Sequence, residues 1–233
     1  MRRSKLYAAQ CATFKSQERY EIQDALGLLK AMPHVKFDET VEMHLKLGID
    51  PRKSDQNVRG AVPLPAGTGK LVRVAVVADG AQAEEARAAG AEDVGYEDLV
   101  QRIKDGWQDF DILIATPEAM KLVRPLGRQL GPRGLMPNPK TGTVTDQIGA
   151  AVKEAKAGRV EFRADKGGCV HVPIGKLSFD VAGLVSNFDA VFAALIKARP
   201  ATAKGVYILS CAVASTMSPG IKVNAKEQTK VKP

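Results

Sequence analysis

Two kinds of hydrophobic periodicity divide this chain. Between Leu71 and Ala157 the runs LVRVAVVA and FDILIAT are continuously apolar, and they alternate with the helix-forming segments AQAEEARAAGA, EDLVQRIKDG and QIGAAVKEAKAG. A strand that is apolar on both sides must be covered on both sides, which predicts a parallel sheet with helices above and below it. The flanking stretches alternate instead. In FDETVEMHLKLG, Val41, Met43, Leu45 and Leu47 share one face, and Thr40, Glu42, His44 and Lys46 share the other. VEFRAD and CVHVPI repeat the pattern, setting Val160, Phe162, Val170, Val172 and Ile174 against Glu161, Arg163 and His171. Strands of this kind have one dry face and one wet face.

The dry face needs a roof. DVAGLVSNFDAVFAALIKARP places Val181, Leu184, Val185, Phe188, Val191, Phe192 and Leu195 at helical spacing and stops before Pro200. EIQDALGLLKAM does the same with Ile22, Ala25, Leu26 and Leu29, and GVYILSCAVAS adds a further strand rich in small residues. The expected fold class is α/β and α+β in two domains. A split antiparallel α+β outer domain comprises residues 1–66 and 159–233, and a three-layer α/β (Rossmann-like) domain, residues 67–158, is inserted into it. The wet face of the outer sheet is left open. Gly67, Gly69 and Gly158 lie where the chain crosses between the domains and suit a two-strand hinge, because glycine reaches φ values that other residues avoid. Helix-cap and turn glycines are the plainer alternative.

Charge narrows the choice of partner. The 233 residues carry 34 Lys and Arg against 26 Asp and Glu, a net charge of +8 that favours an anionic partner such as nucleic acid. No stretch is long and apolar enough for a membrane span, and the basic N-terminal segment has no apolar run behind it, so a cytosolic protein is expected. Cys11, Cys169 and Cys211 lack metal-ligand spacing, and His34, His44 and His171 are scattered, so neither a metal site nor a catalytic pairing is expected. PLPAGTGKLVR resembles a phosphate loop only superficially. The spacing G-x-x-x-x-G-K-[ST] requires glycine at Leu64 and a hydroxyl at Leu71, and a strand rather than a helix follows the glycines.

Three stretches carry anion chemistry. RPLGRQLGPRGLMPNPKTGTVTD exposes Arg124, Arg128, Arg133 and Lys140 with no acid before its last residue, and its glycines and prolines exclude a long helix or a central strand. ASTMSPGIKVN puts Ser215, Thr216, Met217 and Ser218 directly after a strand, where short hydroxyl side chains let a backbone approach ribose or phosphate. The open sheet face, beginning at Lys36 and Phe37, adds Glu42, Asp165, Lys46, Arg163 and Lys166. Its carboxylates accept from base amino groups or 2′-hydroxyls, and its cations offset their charge. An ordinary solvated face laced with weak ion pairs is the alternative. Aromatic residues make up only 5% of the chain, which favours contacts to shape, ribose and phosphate over stacked bases.

Taken together, LGPRGLMPNPKTGTV, KFDETVEMHLKLGIDPRKSDQNVRG and STMSPG closely resemble the bacterial ribosomal protein L-one family, over nearly the whole chain from Tyr20 to Asn224. The resemblance implies a non-enzymatic constituent of the large ribosomal subunit, cytoplasmic, without cofactor, metal or small-molecule substrate. It implies a main contact to large-subunit rRNA at the mobile stalk through Lys36, Phe37, Thr40, Glu42, Asp165, Lys166, Ser215, Thr216 and Met217. A secondary RNA contact through Arg124, Arg128, Arg133 and Lys140 is implied as well. Release of deacylated tRNA from the exit site is implied too, as is repression of its own operon through an rRNA-like mRNA leader. The chain departs from the family pattern at Ser218, where glycine is typical, at Ala66, where histidine is usual, and at Gly167-Gly168, where Thr-Gly is common. The rival expectation is an enzyme whose α/β domain binds a nucleotide or a small phosphorylated substrate.

Overall fold

The computed structural model describes residues 4–224, with the side chains of Ser54 and Lys140 outside the described set. In chain order the elements are α1 (Lys5–Ala12), α2 (Ile22–Ala31), β1 (Thr40–Leu47), β2 (Arg59–Pro63), β3 (Val74–Val77), α3 (Gly80–Ala88), β4 (Asp93–Gly95) and α4 (Glu97–Lys104). They continue with β5 (Ile112–Ala115), α5 (Met120–Val123), α6 (Gly127–Leu130), α7 (Ile148–Gly158), β6 (Arg159–Arg163), β7 (Cys169–Lys176), α8 (Val181–Lys197), β8 (Ile208–Ser215) and β9 (Ile221–Val223). Described residues fall into two compact units, one running to Gly69 and resuming at Val160, the other Lys70–Arg159.

The outer unit is built on a four-stranded sheet of order β7-β1-β8-β9. Strand β1 lies antiparallel between β7 and β8, pairing His44 with His171 on one side and with Ala212 on the other. A register shift between Val41 and Glu42 interrupts the β1–β7 ladder, and such bulges re-aim side chains where pairing ends. The alternation predicted for β1 appears residue by residue. Val41, Met43, Leu45 and Leu47 are buried and the intervening positions are half-exposed.

Helices α2 and α8 cover the dry face, and Leu26, Leu29, Phe188, Val191 and Leu195 join Met43, Leu45, Val172, Ile174 and Val213 in one core. Each such side chain stabilises the fold by about 1.5–3 kcal/mol on leaving water. Asp180 caps α8 by accepting from the Val181 amide at 2.8 Å. A separate two-stranded sheet pairs β2 with β6. There Gly60 lies under the Phe162 ring, and a Cβ at that position would meet it at 2.6 Å.

In the second unit β3 is the centre of a parallel sheet of order β4-β3-β5. Val74, Val76 and Ile114 pack with Ala86 of α3 and with Ile148, Val152 and Ala155 of α7. Ala75, Val77, Leu113 and Ala115 pack with Leu99 and Ile103 of α4, Val123 of α5 and Leu130 of α6. Successive residues of β3 thus serve opposite cores, which is why its sequence is apolar without alternation. Three layers result, as the pattern predicts.

The division between units comes three residues later than expected at the first crossing and one later at the second, and a buried amide accounts for the first. Asn187 of α8 is fully buried. It accepts from the Ala66 amide at 2.9 Å and donates to the carbonyls of Gly67 at 3.0 Å and Ile174 at 2.8 Å. The chain is therefore held to the outer unit through Gly67. Beyond it Gly69 packs so close to Phe179 that a Cβ would come within 2.8 Å of the ring. Gly67, Gly69 and Gly158 all take positive φ, at 74°, 70° and 104°.

Candidate nucleic-acid interface

Because β1 and β8 are antiparallel with Val41 opposite Ser215, the loop entering β1 and the turn leaving β8 emerge at the same end of the sheet. A buried carboxylate ties them together. Glu39 is 0% exposed. One of its oxygens accepts from the Val35 amide at 3.3 Å and lies 3.2 Å from His34 Nδ1, while the other accepts from the Met217 amide at 3.0 Å and from the Ser215 hydroxyl. Burial pushes the Glu39 carboxyl up, but these four contacts outweigh burial and hold it below the usual carboxylate value, those from Ser215 and Met217 contributing most. His34 in turn reaches the Leu29 carbonyl through Nε2 at 2.8 Å. A buried, ionised acceptor with donors on two separate segments fixes both backbones.

With those segments fixed, the residues between them are displayed. Thr216 Oγ1 accepts from the Thr40 amide at 3.1 Å and donates to the Thr40 carbonyl at 3.4 Å. Lys176, opposite Thr40 in β7, donates to the Thr40 hydroxyl at 2.8 Å. Lys36 and Thr216 are exposed, and Phe37 and Met217, 54% and 51% exposed, are two of the few large apolar side chains left in water. Ser215 is turned inward, 5% exposed, with its hydroxyl held by Glu39. It positions the turn more than it contributes surface. Ser218 closes the same turn, accepting from the Ser215 amide at 2.8 Å and donating to the Pro219 carbonyl at 3.2 Å.

Asp165 and Lys166 sit elsewhere. They occupy the turn between β6 and β7, next to the Lys46 end of β1. Thr40 and Lys46 are six residues apart on one strand, so these groups lie about 20 Å from the Thr216 cluster at the usual strand rise. Asp165 accepts from the amides of Cys169 at 2.7 Å and Gly167 at 2.8 Å. The Cys169 amide, then the Gly167 amide and the nearby His171 and Lys46, hold its carboxyl below the usual range despite some desolvation. A carboxylate on a basic face is thereby explained in part, since it braces its own turn. Lys46 donates to the Gly167 carbonyl of that turn, and Lys166 is exposed. Glu42, His44, Lys46 and His171 fill the interval between the two clusters.

Sequence reading missed Glu39, Lys176 and the His44–His171 pair. Register alone signals Lys176, which falls opposite Thr40. Glu39, one position before a strand of clear alternation, continues the phase of the buried residues, and that was a usable sign.

In the second unit Arg124 and Arg128 are exposed on the short helical segments that follow β5, Arg133 is exposed on the turn after α6, and the Lys140 side chain lies outside the described residues. The Gly67-Thr-Gly69-Lys70 segment precedes β3 in irregular backbone, and Lys70 pairs with Asp111 at 2.7 Å. At the first helix after β3, where a bound phosphate would be expected, Asp79 already accepts from the Gly80 amide at 2.7 Å. Among the described residues no three His, Cys, Asp or Glu side chains group to hold a metal, and no helix is long and apolar enough to cross a membrane.

The family model for the Ribosomal protein L1p/L10e family matches residues 29–219. The chain belongs to that family. Among its curated relatives is the large ribosomal subunit protein uL1 of Burkholderia ambifaria, 57% identical over 221 residues, with 95% of each chain covered. The proteins of the same name from Burkholderia cenocepacia and Burkholderia multivorans are 56% identical over the same span, again covering 95% of each chain. As a member of the L1 family the chain is a structural protein and not an enzyme. The matched span includes both the Glu39 cluster and the Arg124–Arg133 turns.

Proposed function

We propose that this L1-family protein takes its place in the large ribosomal subunit by binding large-subunit rRNA along the open face of the β7-β1-β8-β9 sheet. The observation that carries the reading is the Glu39 cluster. It holds Lys36, Phe37, Thr40, Thr216 and Met217 at one sheet end on a backbone already rigid before any ligand arrives. Preorganisation of this kind removes the ordering cost that a flexible loop would bear on binding. Asp165 and Lys166 form a second foothold, and the interval between them matches several nucleotides of an RNA backbone. Glu42 accepts from a base or a ribose hydroxyl there, and Lys176 and Lys46 offset the carboxylates.

Arg124, Arg128, Arg133 and Lys140 of the second unit supply a weaker, phosphate-directed contact. The glycines at the two crossings serve as the hinge of a moving stalk that releases deacylated tRNA from the exit site. An mRNA leader that mimics the rRNA site competes for the same face and so represses the operon. Chemical footprinting of the purified protein on large-subunit rRNA tests the proposal. Protection of one compact rRNA segment, lost in Thr216→Val/Met217→Ala, is the expected result. Protection unchanged by that double substitution, but lost on changing the three arginines, would place the main contact in the other unit.

A further inference from the structure

At the centre of the open face two histidines distant in the chain, His44 of β1 and His171 of β7, meet directly. Their Nδ1 atoms are 2.8 Å apart and their rings lie edge to face, centroids 5.1 Å apart at 60°. Two ring nitrogens this close share a single proton, one donating and the other accepting, because two N–H groups would repel. The pair therefore rests with at most one positive charge. Its position is central: it lies between the Thr40–Thr216 cluster and the Asp165 turn, and His171, on the edge strand β7, is exposed.

We infer that the His44–His171 pair is a phosphate-binding centre of this face, which takes up a proton as it engages the RNA backbone. This inference rests on the rRNA reading above. The neutral pair holds two ring protons, one between the Nδ1 atoms and one on a single Nε2, whereas donating an Nε2–H from each ring to phosphate with the Nδ1 contact kept needs three, so one proton is taken from solvent and anion binding and protonation favour one another. The surroundings leave the pair poised for this. On β1 its charged neighbours are Glu42 and Lys46, and on β7 and the turn before it Asp165, Lys166 and Lys176, with the Cys169 thiol beside them. Strand β8 offers only Ser210, Ala212 and Ala214 opposite β1, and β9 adds Lys222 beyond Ala212. Burial first, and then the neighbouring His171, keep His44 below the ordinary histidine value, while Glu42 acts the other way. With one proton between the two Nδ1 atoms, the neutral pair keeps an unprotonated Nε2 that can gain one.

The test is the affinity of the whole protein for purified large-subunit rRNA, at constant ionic strength, from about pH 8 to about pH 6, the range in which histidine titrates. Affinity of the unsubstituted protein should rise as pH falls, approaching about tenfold per pH unit where one full proton is taken up. His44→Gln and His171→Gln should each flatten that slope. Urea unfolding of each variant checks that the sheet persists, and His171→Gln, on the exposed edge strand, is the safer of the two. Parallel pH profiles for parent and both variants would overturn the inference and leave the rRNA reading intact. Absence of rRNA binding at every pH would remove both.

Discussion

The outer unit and the Lys70–Arg159 unit are both β layers faced with helices, yet they present opposite surfaces. In the second unit helices lie on both faces of β4-β3-β5, so every residue of β3 is buried and the sheet keeps no open face. In the outer unit α2 and α8 cover one face of β7-β1-β8-β9 and the other stays wet. A one-sided sheet offers a broad rigid platform whose alternate residues are free for a ligand, whereas a two-sided sheet confines recognition to loops. On the function proposed above, the strong, shape-reading RNA contact falls to the first unit and the weak, charge-reading contact to the second.

The largest effect expected is on the rigidity of the platform. Glu39→Ala removes the acceptor of the Val35 and Met217 amides and the Ser215 hydroxyl. At about 1–3 kcal/mol for each buried donor left unpaired, the outer unit should lose roughly 3 kcal/mol or more in urea unfolding. A loss below about 0.5 kcal/mol, the size typical of surface changes, would show that the cluster does not fix the platform.

Next comes affinity. Thr216→Val with Met217→Ala should weaken rRNA binding by about 2–3 kcal/mol, the scale of contacts to charged acceptors, while a chain lacking residues 68–158 keeps most of its affinity in filter binding. The reverse ranking would transfer the main site to the second unit. Smaller still is the salt response. With about five phosphates neutralised, log affinity should fall against log salt with a slope of roughly −3.5 to −4.5, and Arg124→Ala/Arg128→Ala/Arg133→Ala should make it shallower by less than three phosphate contacts' worth.

The smallest effect is on pH and stability, and its sign follows from Glu39. Its carboxyl is held below its ordinary value of 4.5 in the fold, so the unfolded chain binds the proton first as pH falls. The stability it contributes is complete above 4.5 and drains away as pH drops through the lower folded value. Unfolding measured from about pH 6 to about pH 3 should show a shallower acid loss in Glu39→Gln than in the parent.

Much of the fold was legible in the residues. Alternation in β1 and β7 and continuous apolarity in β3 and β5 each state how many faces of a strand are covered, and the helical spacing of Leu184, Phe188, Val191 and Leu195 named the roof. The short strands escaped. Asp93–Gly95 and Ile221–Val223 are too brief to show a period, and Arg59–Pro63 carries a glycine and a proline that argue against a strand. Their existence depends on neighbours already in place.

The site divides in the same way. The family resemblance, more than residue type, singled out Lys36, Phe37, Thr40, Thr216 and Met217, because hydroxyl and basic side chains beside a wet strand face also serve an ordinary solvated surface. Periodicity is a local property, written within one segment, and the chain by itself therefore determined which faces are dry and where charge gathers. Which segments meet is not local. Only the antiparallel register of β1 with β7 and β8 brought Glu39 to Met217 and His44 to His171, separated by 178 and 127 positions in the chain. A hydrogen bond between such residues has no sequence signature, because the free energy that places it comes from the core beneath the sheet.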